Sequence, residues 1–410
     1  MKFLYNFLVF IVSSILPIIA IFNKKIRLFI DGRKQTFLKI EALKNEETVW
    51  FHVASLGEFE QAHPIIEELK SNFKHYKILV TFFSPSGYEV RKNYDLADVV
   101  CYLPLDSDAN AKRFIKNIHL KFAIFVKYEF WPNFLNEVNK NQIPTILVSG
   151  IFRKNQLFFQ PYGGFMRNSL KAFHHFFLQD ENSKKLLESI DFKNSSVVGD
   201  TRFDRVSRIL NQNNSLDFID EFKNNQYTIV AGSTWKEDEE YLVNYINNNS
   251  LYDEKIIIAP HNIQNDAVLG LKKSIHKKTI LLSEKEGKNM AEYQVLIVDT
   301  IGILTKIYVA ANVAYVGGGL KTGLHNILEP ATFGIPVVIG NKFDKFKEAV
   351  DLVNLKGCFS IKNQKEFSSI FTKLKKDEGF RESTGNINKK YIQEHLGATQ
   401  KIMNYLKTQL

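Results

Sequence analysis

With 410 residues, 45% hydrophobic and 24% charged, the chain has room for two globular domains and is too apolar to be disordered. A formal charge of +10, from 54 Lys+Arg against 44 Asp+Glu, favours anionic partners. Cys101 and Cys358, far apart in sequence, exclude a disulfide framework and a zinc site and fit a reducing compartment. Phe3 to Phe22 contain no charged residue. As a helix, such a stretch is about 30 Å long, enough to cross a bilayer core. Lys24, Lys25 and Arg27 follow at once, and the positive-inside rule puts the rest of the chain in the cytoplasm. A cleaved signal peptide fits less well, because the positive charge lies after the apolar run and no small-residue cleavage site is evident. An anchor that lies in the membrane without spanning it is the third reading. Residues 1–27 are therefore read as an N-terminal anchor.

Two α/β patterns follow. Apolar runs recur at Val49–Val53, Ile78–Phe82, Val99–Tyr102, Phe122–Val126, Thr145–Val148 and Phe176–Leu178, with helical patterns between them. The second series is Tyr227–Ala231, Lys255–Ala259, Thr279–Leu282, Val295–Val298, Val313–Val316 and Val337–Ile339. Strands alternating with helices imply parallel sheets. The expected fold is α/β, with two Rossmann-like doubly wound domains facing a cleft. Residues 28–210 form the first domain and 226–388 the second. The Asn-rich stretch 211–225 reads as the linker, and 389–410 as a helix returning to the first domain. This is the GT-B arrangement, which glycosyltransferases share with sugar-nucleotide epimerases and resemble in some dehydrogenases; fold alone does not choose.

Two turns stand out. Ala54-Ser55-Leu56-Gly57-Glu58 follows the first strand, where open α/β sheets place their ligands. A carboxylate there serves as a base towards a substrate hydroxyl if it points at one. Equally, Glu58 is a helix-start residue favoured by the macrodipole. In the second domain, Tyr315-Val316 runs into Gly317-Gly318-Gly319, then Gly323, His325, Asn326, Glu329 and Pro330. Glycines permit close backbone approach, and a helix beginning near Asn326 offers amides to an anion. Asn326 and Glu329, three apart, are expected on one helix face. Gly232-Ser233-Thr234 and Pro260-His261-Asn262 end two further strands, and Asp299 to Gly302 a third, where a helix cap explains the Asp equally well. No G-x-G-x-x-G follows the first strand of either half, which argues against a dinucleotide redox enzyme.

Together these segments resemble the lipid A Kdo transferases (3-deoxy-D-manno-octulosonic acid transferases). The likeness runs through the anchor, His52 to Glu58, Phe83 to Gly87, Leu103 to Asp106, Glu129-Phe130-Trp131-Pro132, Gly199 to Asp204, Ala231 to Ser233, Asp299 to Gly302 and Gly317 to Pro330. It implies a CMP-Kdo donor and a lipid IVA acceptor in lipopolysaccharide synthesis, with inversion at the anomeric carbon and neither metal nor cofactor. It implies Glu58 as general base, and Ser55, Gly57 and Glu129 on the acceptor side. Ser233, Pro260, His261, Gly317, Gly318, Gly319, His325, Asn326 and Glu329 map to the donor side.

Two positions depart from the family pattern. Lys127 stands where a second Glu is usual, and His261 where an Arg is usual, which loses a permanent charge and a bidentate donor. Lys236 or Lys321 is the expected substitute. The basic surplus is assigned to an anionic inner-membrane surface and a phosphorylated lipid. Aromatics between Phe152 and Phe177 are divided between acyl-chain contact and core, and Trp131 is assigned to the core. The alternatives are a GT-B enzyme using a UDP-sugar and a membrane-tethered binding protein with a decayed site. No nucleic-acid module is recognisable.

Overall fold

The computed structural model describes all 410 residues and divides into two compact units. Unit 1 comprises Met1–Arg205 with Leu396–Leu410, and unit 2 comprises Val206–His395. Each is built on a seven-stranded sheet in which every pairing is parallel.

In unit 1 the strands are β1 (Thr48–Val53), β2 (Lys77–Phe82), β3 (Val99–Tyr102), β4 (Leu120–Val126), β5 (Thr145–Gly150), β6 (His175–Leu178) and β7 (Ser195–Val197). Their order is β3-β2-β1-β4-β5-β6-β7. The chain winds one way from β1 to β3, then crosses back to place β4 on the other side of β1. This reversal makes the C-terminal ends of β1 and β4 the ligand-binding point of the sheet. β1 reads Thr-Val-Trp-Phe-His-Val and is buried throughout, because helices cover both faces of a parallel sheet. Trp50, Phe114, Phe125 and Phe134 pack on one face; Phe51, Phe59, Phe82 and Phe122 pack on the other.

Unit 2 repeats the plan with β8 (Tyr227–Thr234), β9 (Glu254–Pro260), β10 (Thr279–Leu281), β11 (Val295–Ile297), β12 (Val313–Val316), β13 (Val337–Gly340) and β14 (Cys358–Ile361). The order β10-β11-β9-β8-β12-β13-β14 puts the reversal between β8 and β12.

Residues 211–225 are not a linker. Asp217–Lys223 is a helix whose Ile219 and Phe222 are buried in the core of unit 2. Nor is 389–410 one helix. Helix Glu378–Glu394 stays in unit 2, and Gly397, at φ +101°, breaks the chain before helix Ala398–Gln409. That last helix buries Ile402, Met403 and Leu406 in the core of unit 1. Asp204 fixes its start, accepting the backbone N–H groups of Gly397 and Thr399 at 2.6 Å each.

Candidate active site

At the β1–β4 reversal of unit 1, Ser55 is the N-cap of helix Leu56–Asn72 and Glu58 sits in its first turn. Glu58 is 3% exposed, and its carboxylate accepts the backbone N–H of Ala54. The helix-start role is thus real, and it aims the side chain back towards the end of β1. Burial, and next the neighbouring charge of Glu129, push the Glu58 carboxyl up to about 8; the Ala54 N–H and the Lys127 ammonium pull it down. A carboxyl held in this range is poised for proton transfer near neutral pH. Gly57 is exposed, and a methyl group on its Cα would meet nothing within 4 Å.

Glu129, 7% exposed, comes from the turn after β4, where Lys127 takes up φ +64° to bend the chain. Its Oε2 lies 3.3 Å from His52 Nε2 and accepts the Trp131 indole N–H at 2.9 Å. His52 Nδ1 is 2.8 Å from Thr81 Oγ1, which accepts the Trp50 indole N–H at 2.8 Å. The Trp131 indole N–H also lies 2.9 Å from His52 Nε2 and is shared between His52 and Glu129, so the contacts permit both His52 tautomers. In one of them the protons run towards Glu129. Thr81 donates to His52 Nδ1, and His52 Nε2–H donates to Glu129. His52, Thr81 and Trp131 therefore orient Glu129. Sequence gave no sign of Thr81 in this role, because a Thr in a buried strand looks like core. Trp131 is half-buried, packing against the core of unit 1 and stacking on Phe83 with centroids 4.6 Å apart.

In unit 2 the residues expected on the donor side lie at and after the ends of β8, β9 and β12. Ser233 occupies φ +55°, and the Gly317 N–H donates to Gly232 O at 2.9 Å across the reversal. Gly317 is required by close approach. A Cβ there would lie 2.4 Å from Ser233 O. Asp238, unnoticed in sequence, builds the loop. It accepts Gly318 N–H at 2.9 Å, Trp235 N–H at 2.9 Å and the Tyr315 hydroxyl at 2.6 Å. The Gly317 and Gly318 amides are thus spent inside the protein and do not face an anion.

Nor does a helix begin at Asn326. It begins at Leu328 and has five residues. Asn326 Oδ1 caps Leu328 N–H at 3.1 Å, while its Nδ2 donates to Glu329 Oε1 at 3.2 Å. Glu329 Oε2 accepts the Thr305 hydroxyl at 2.8 Å. Asp299 does not cap the helix that follows it; it accepts the backbone N–H and hydroxyl of Ser283 in the short 3-10 turn Leu282–Glu284.

His261, His325 and Trp235 form an aromatic stack. Trp235 lies 4.3 Å from His261, and His261 lies 4.8 Å from His325. The Trp235 indole N–H donates to His325 Nε2 at 3.0 Å. Burial, then proximity to His261, pull His325 down to about 4, and burial lowers His261 too. Lys321 pairs with Glu237 at 2.8 Å, whereas Lys236 lines a cavity of about 740 Å3 with Thr234, Trp235, Pro260 and Asn262. Of the two lysines, Lys236 is the one beside the turns that end β8 and β9.

Among the aromatics after Phe152, Phe158, Phe173, Phe176 and Phe177 are core, and Tyr162 is exposed.

A family model described as 3-Deoxy-D-manno-octulosonic-acid transferase (kdotransferase) matches residues 31–205. The chain is 29% identical over 369 residues to the 3-deoxy-D-manno-octulosonic acid transferase of Aquifex aeolicus, covering 87% of this chain and 96% of the relative. It is 27% identical over 376 residues to the enzyme of that name from Haemophilus influenzae, covering 88% and 87%. The UDP-GlcNAc 2-epimerase of Neisseria meningitidis bound to UDP-GlcNAc superposes with a TM-score of 0.61 over 88% of this chain and 100% of that one. At 14% identity this likeness speaks to the GT-B fold alone. The family model lies in unit 1 and the sequence relatives span both units, so the chain is similar along most of its length to the 3-deoxy-D-manno-octulosonic acid (Kdo) transferases and is a glycosyltransferase.

Proposed function

We propose that this chain transfers Kdo from CMP-Kdo to lipid IVA in lipopolysaccharide synthesis, at the cytoplasmic face of the inner membrane, with Glu58 as general base. The observation that carries the reading is the pairing of Glu58 and Glu129 at the strand-order reversal of unit 1. Glu58 takes the proton of an acceptor sugar hydroxyl, whose oxygen attacks the anomeric carbon of Kdo. The bond to the CMP phosphate breaks, and CMP leaves. A single displacement of this kind inverts the anomeric centre. Glu129, held by His52 and Trp131, accepts a second acceptor hydroxyl and raises the proton affinity of Glu58.

On the donor side, Ser233, His261, His325 and Lys236 are assigned to the CMP phosphate and its surroundings, with Pro260 and Gly319 shaping the turn and Glu329 and Asn326 facing the sugar. A monophosphate leaving group carries less charge than a diphosphate, so the reaction is assigned no metal. Stabilising that leaving group electrostatically is a large part of the barrier lowering.

The test is incubation of the full chain with CMP-Kdo and lipid IVA in detergent. CMP release with a lipid product heavier by one or more Kdo residues is expected. Thermal protection by UDP but not by CMP, with no CMP released, would sink the reading.

A further inference from the structure

Helix Lys2–Phe22 is long and apolar enough to cross a membrane. A spanning helix puts its two ends on opposite sides of the bilayer, about 30 Å apart. Here both ends are held by unit 1. At the N-terminal end, the Tyr5 hydroxyl donates to Asp106 Oδ2 at 2.7 Å, and Asn133 Nδ2 donates to Asn6 Oδ1 at 2.9 Å. Lys2 pairs with Asp108 at 3.2 Å, and the Tyr5 ring lies 5.5 Å from Phe165.

Asp106 is no passing surface group. It is 3% exposed and also accepts the backbone N–H groups of Asn133 and Phe134, at the start of helix Pro132–Lys140. At the other end, Arg27 donates to the Ala20 and Ile21 carbonyls, folding helix Lys24–Lys34 back on the first, and Arg33 donates to Phe83 O at 2.8 Å. Between the ends, Ala20 is buried and Val9, Ile11, Ser13 and Leu16 are half-buried, while Phe7, Phe10, Ile18 and Phe22 are exposed. Phe83, Asp106 and Asn133 follow β2, β3 and β4, at the same end of the sheet as Glu58 and Glu129.

We propose that Lys2–Phe22 does not span the bilayer but lies in the plane of an anionic phospholipid surface, bringing the strand ends that carry Glu58 and Glu129 to that surface. Charge selects the occupant. Lys24, Lys25 and Arg27 are exposed directly after the apolar face, which suits acidic headgroups and would repel the same segment of a second copy. A lipid acceptor is then taken from the leaflet in which the helix rests.

Both native cysteines are buried, so Lys2→Cys and, as a reference, Lys140→Cys each add one reactive thiol. The full chain is tested in inverted inner-membrane vesicles with a membrane-impermeant maleimide. Equal labelling of both variants without detergent is expected. Labelling of Lys2→Cys only after detergent opens the vesicles means a span and overturns the proposal. In vesicles of phosphatidylethanolamine and phosphatidylglycerol, Phe10→Trp fluorescence is expected to be quenched more by lipids brominated near the headgroup than by lipids brominated near the chain end. The reverse order overturns the proposal, as does recovery of the chain as a soluble dimer joined through this face. Neither readout needs donor or acceptor, so its failure is separable from failure of the transfer reading.

Discussion

Burial does most to raise the Glu58 carboxyl, and beside it stand two opposed charges that can each be changed singly. Glu129 raises its proton affinity and Lys127 lowers it. In the proposed role of base Glu58 must be ionised, so kcat/KM is expected to climb with pH on a limb near pH 8 rather than near the ordinary carboxylate value. Glu129→Gln moves that limb to lower pH and Lys127→Ala moves it higher, as a pH profile of transfer will show. Shifts in the same direction for both would contradict the electrostatics. Because folding raises this carboxyl, its contribution is present below the ordinary carboxylate range and is lost as pH rises through about 8. Gly57 offers a cleaner separation of fold from function. No neighbour opposes a methyl group there, so Gly57→Ala is expected to change stability by less than about 1 kcal/mol in thermal unfolding. Transfer should nonetheless fall, through a raised KM for the lipid acceptor. Unchanged KM would remove Gly57 from the acceptor site.

At the scale of elements, twelve of the strands were legible, the edge strands β3 and β10 among them, and the other two edge strands, β7 and β14, were not. β1, β2 and β4 are continuous apolar runs, the signature of a strand covered on both faces. β7 reads Ser-Ser-Val and β14 reads Cys-Phe-Ser-Ile, edge segments only partly buried and too short for periodicity to register. The glycine-rich turn was visible as composition, but its construction depends on Asp238, a residue far away in sequence. Tyr315→Phe removes one of the three donors to that buried carboxylate and should cost about 1–3 kcal/mol in urea unfolding. A smaller loss would mean that Asp238 finds another donor. The C-terminal helix makes a parallel case. Asp204→Ala removes both backbone caps at its start and should cost about 1–2 kcal/mol. Hydrogen exchange should speed up in 398–409 before the rest of unit 1, and uniform exchange would count against the cap.

At the scale of the molecule, two doubly wound units and an apolar leading helix were readable because alternation and length are properties of one stretch of chain at a time. What escaped the sequence was long-range. The boundaries at Arg205 and His395 depend on where the last helix packs, and the docking of Tyr5 on Asp106 joins residues 101 positions apart. The candidate site divides in the same way. Glu58, Glu129 and the donor-side turns announced themselves at strand ends, whereas the Thr81–His52–Glu129–Trp131 chain needed β1 and β2 side by side in register, with His52 paired to Thr81. The central claim is that this molecule moves a sugar by deprotonating its acceptor at Glu58. The most direct measurement is transfer from CMP-Kdo to lipid IVA by wild type and Glu58→Gln, with CMP binding measured on both. Loss of transfer with CMP affinity and thermal unfolding preserved is the predicted result; near-normal turnover by Glu58→Gln would contradict it.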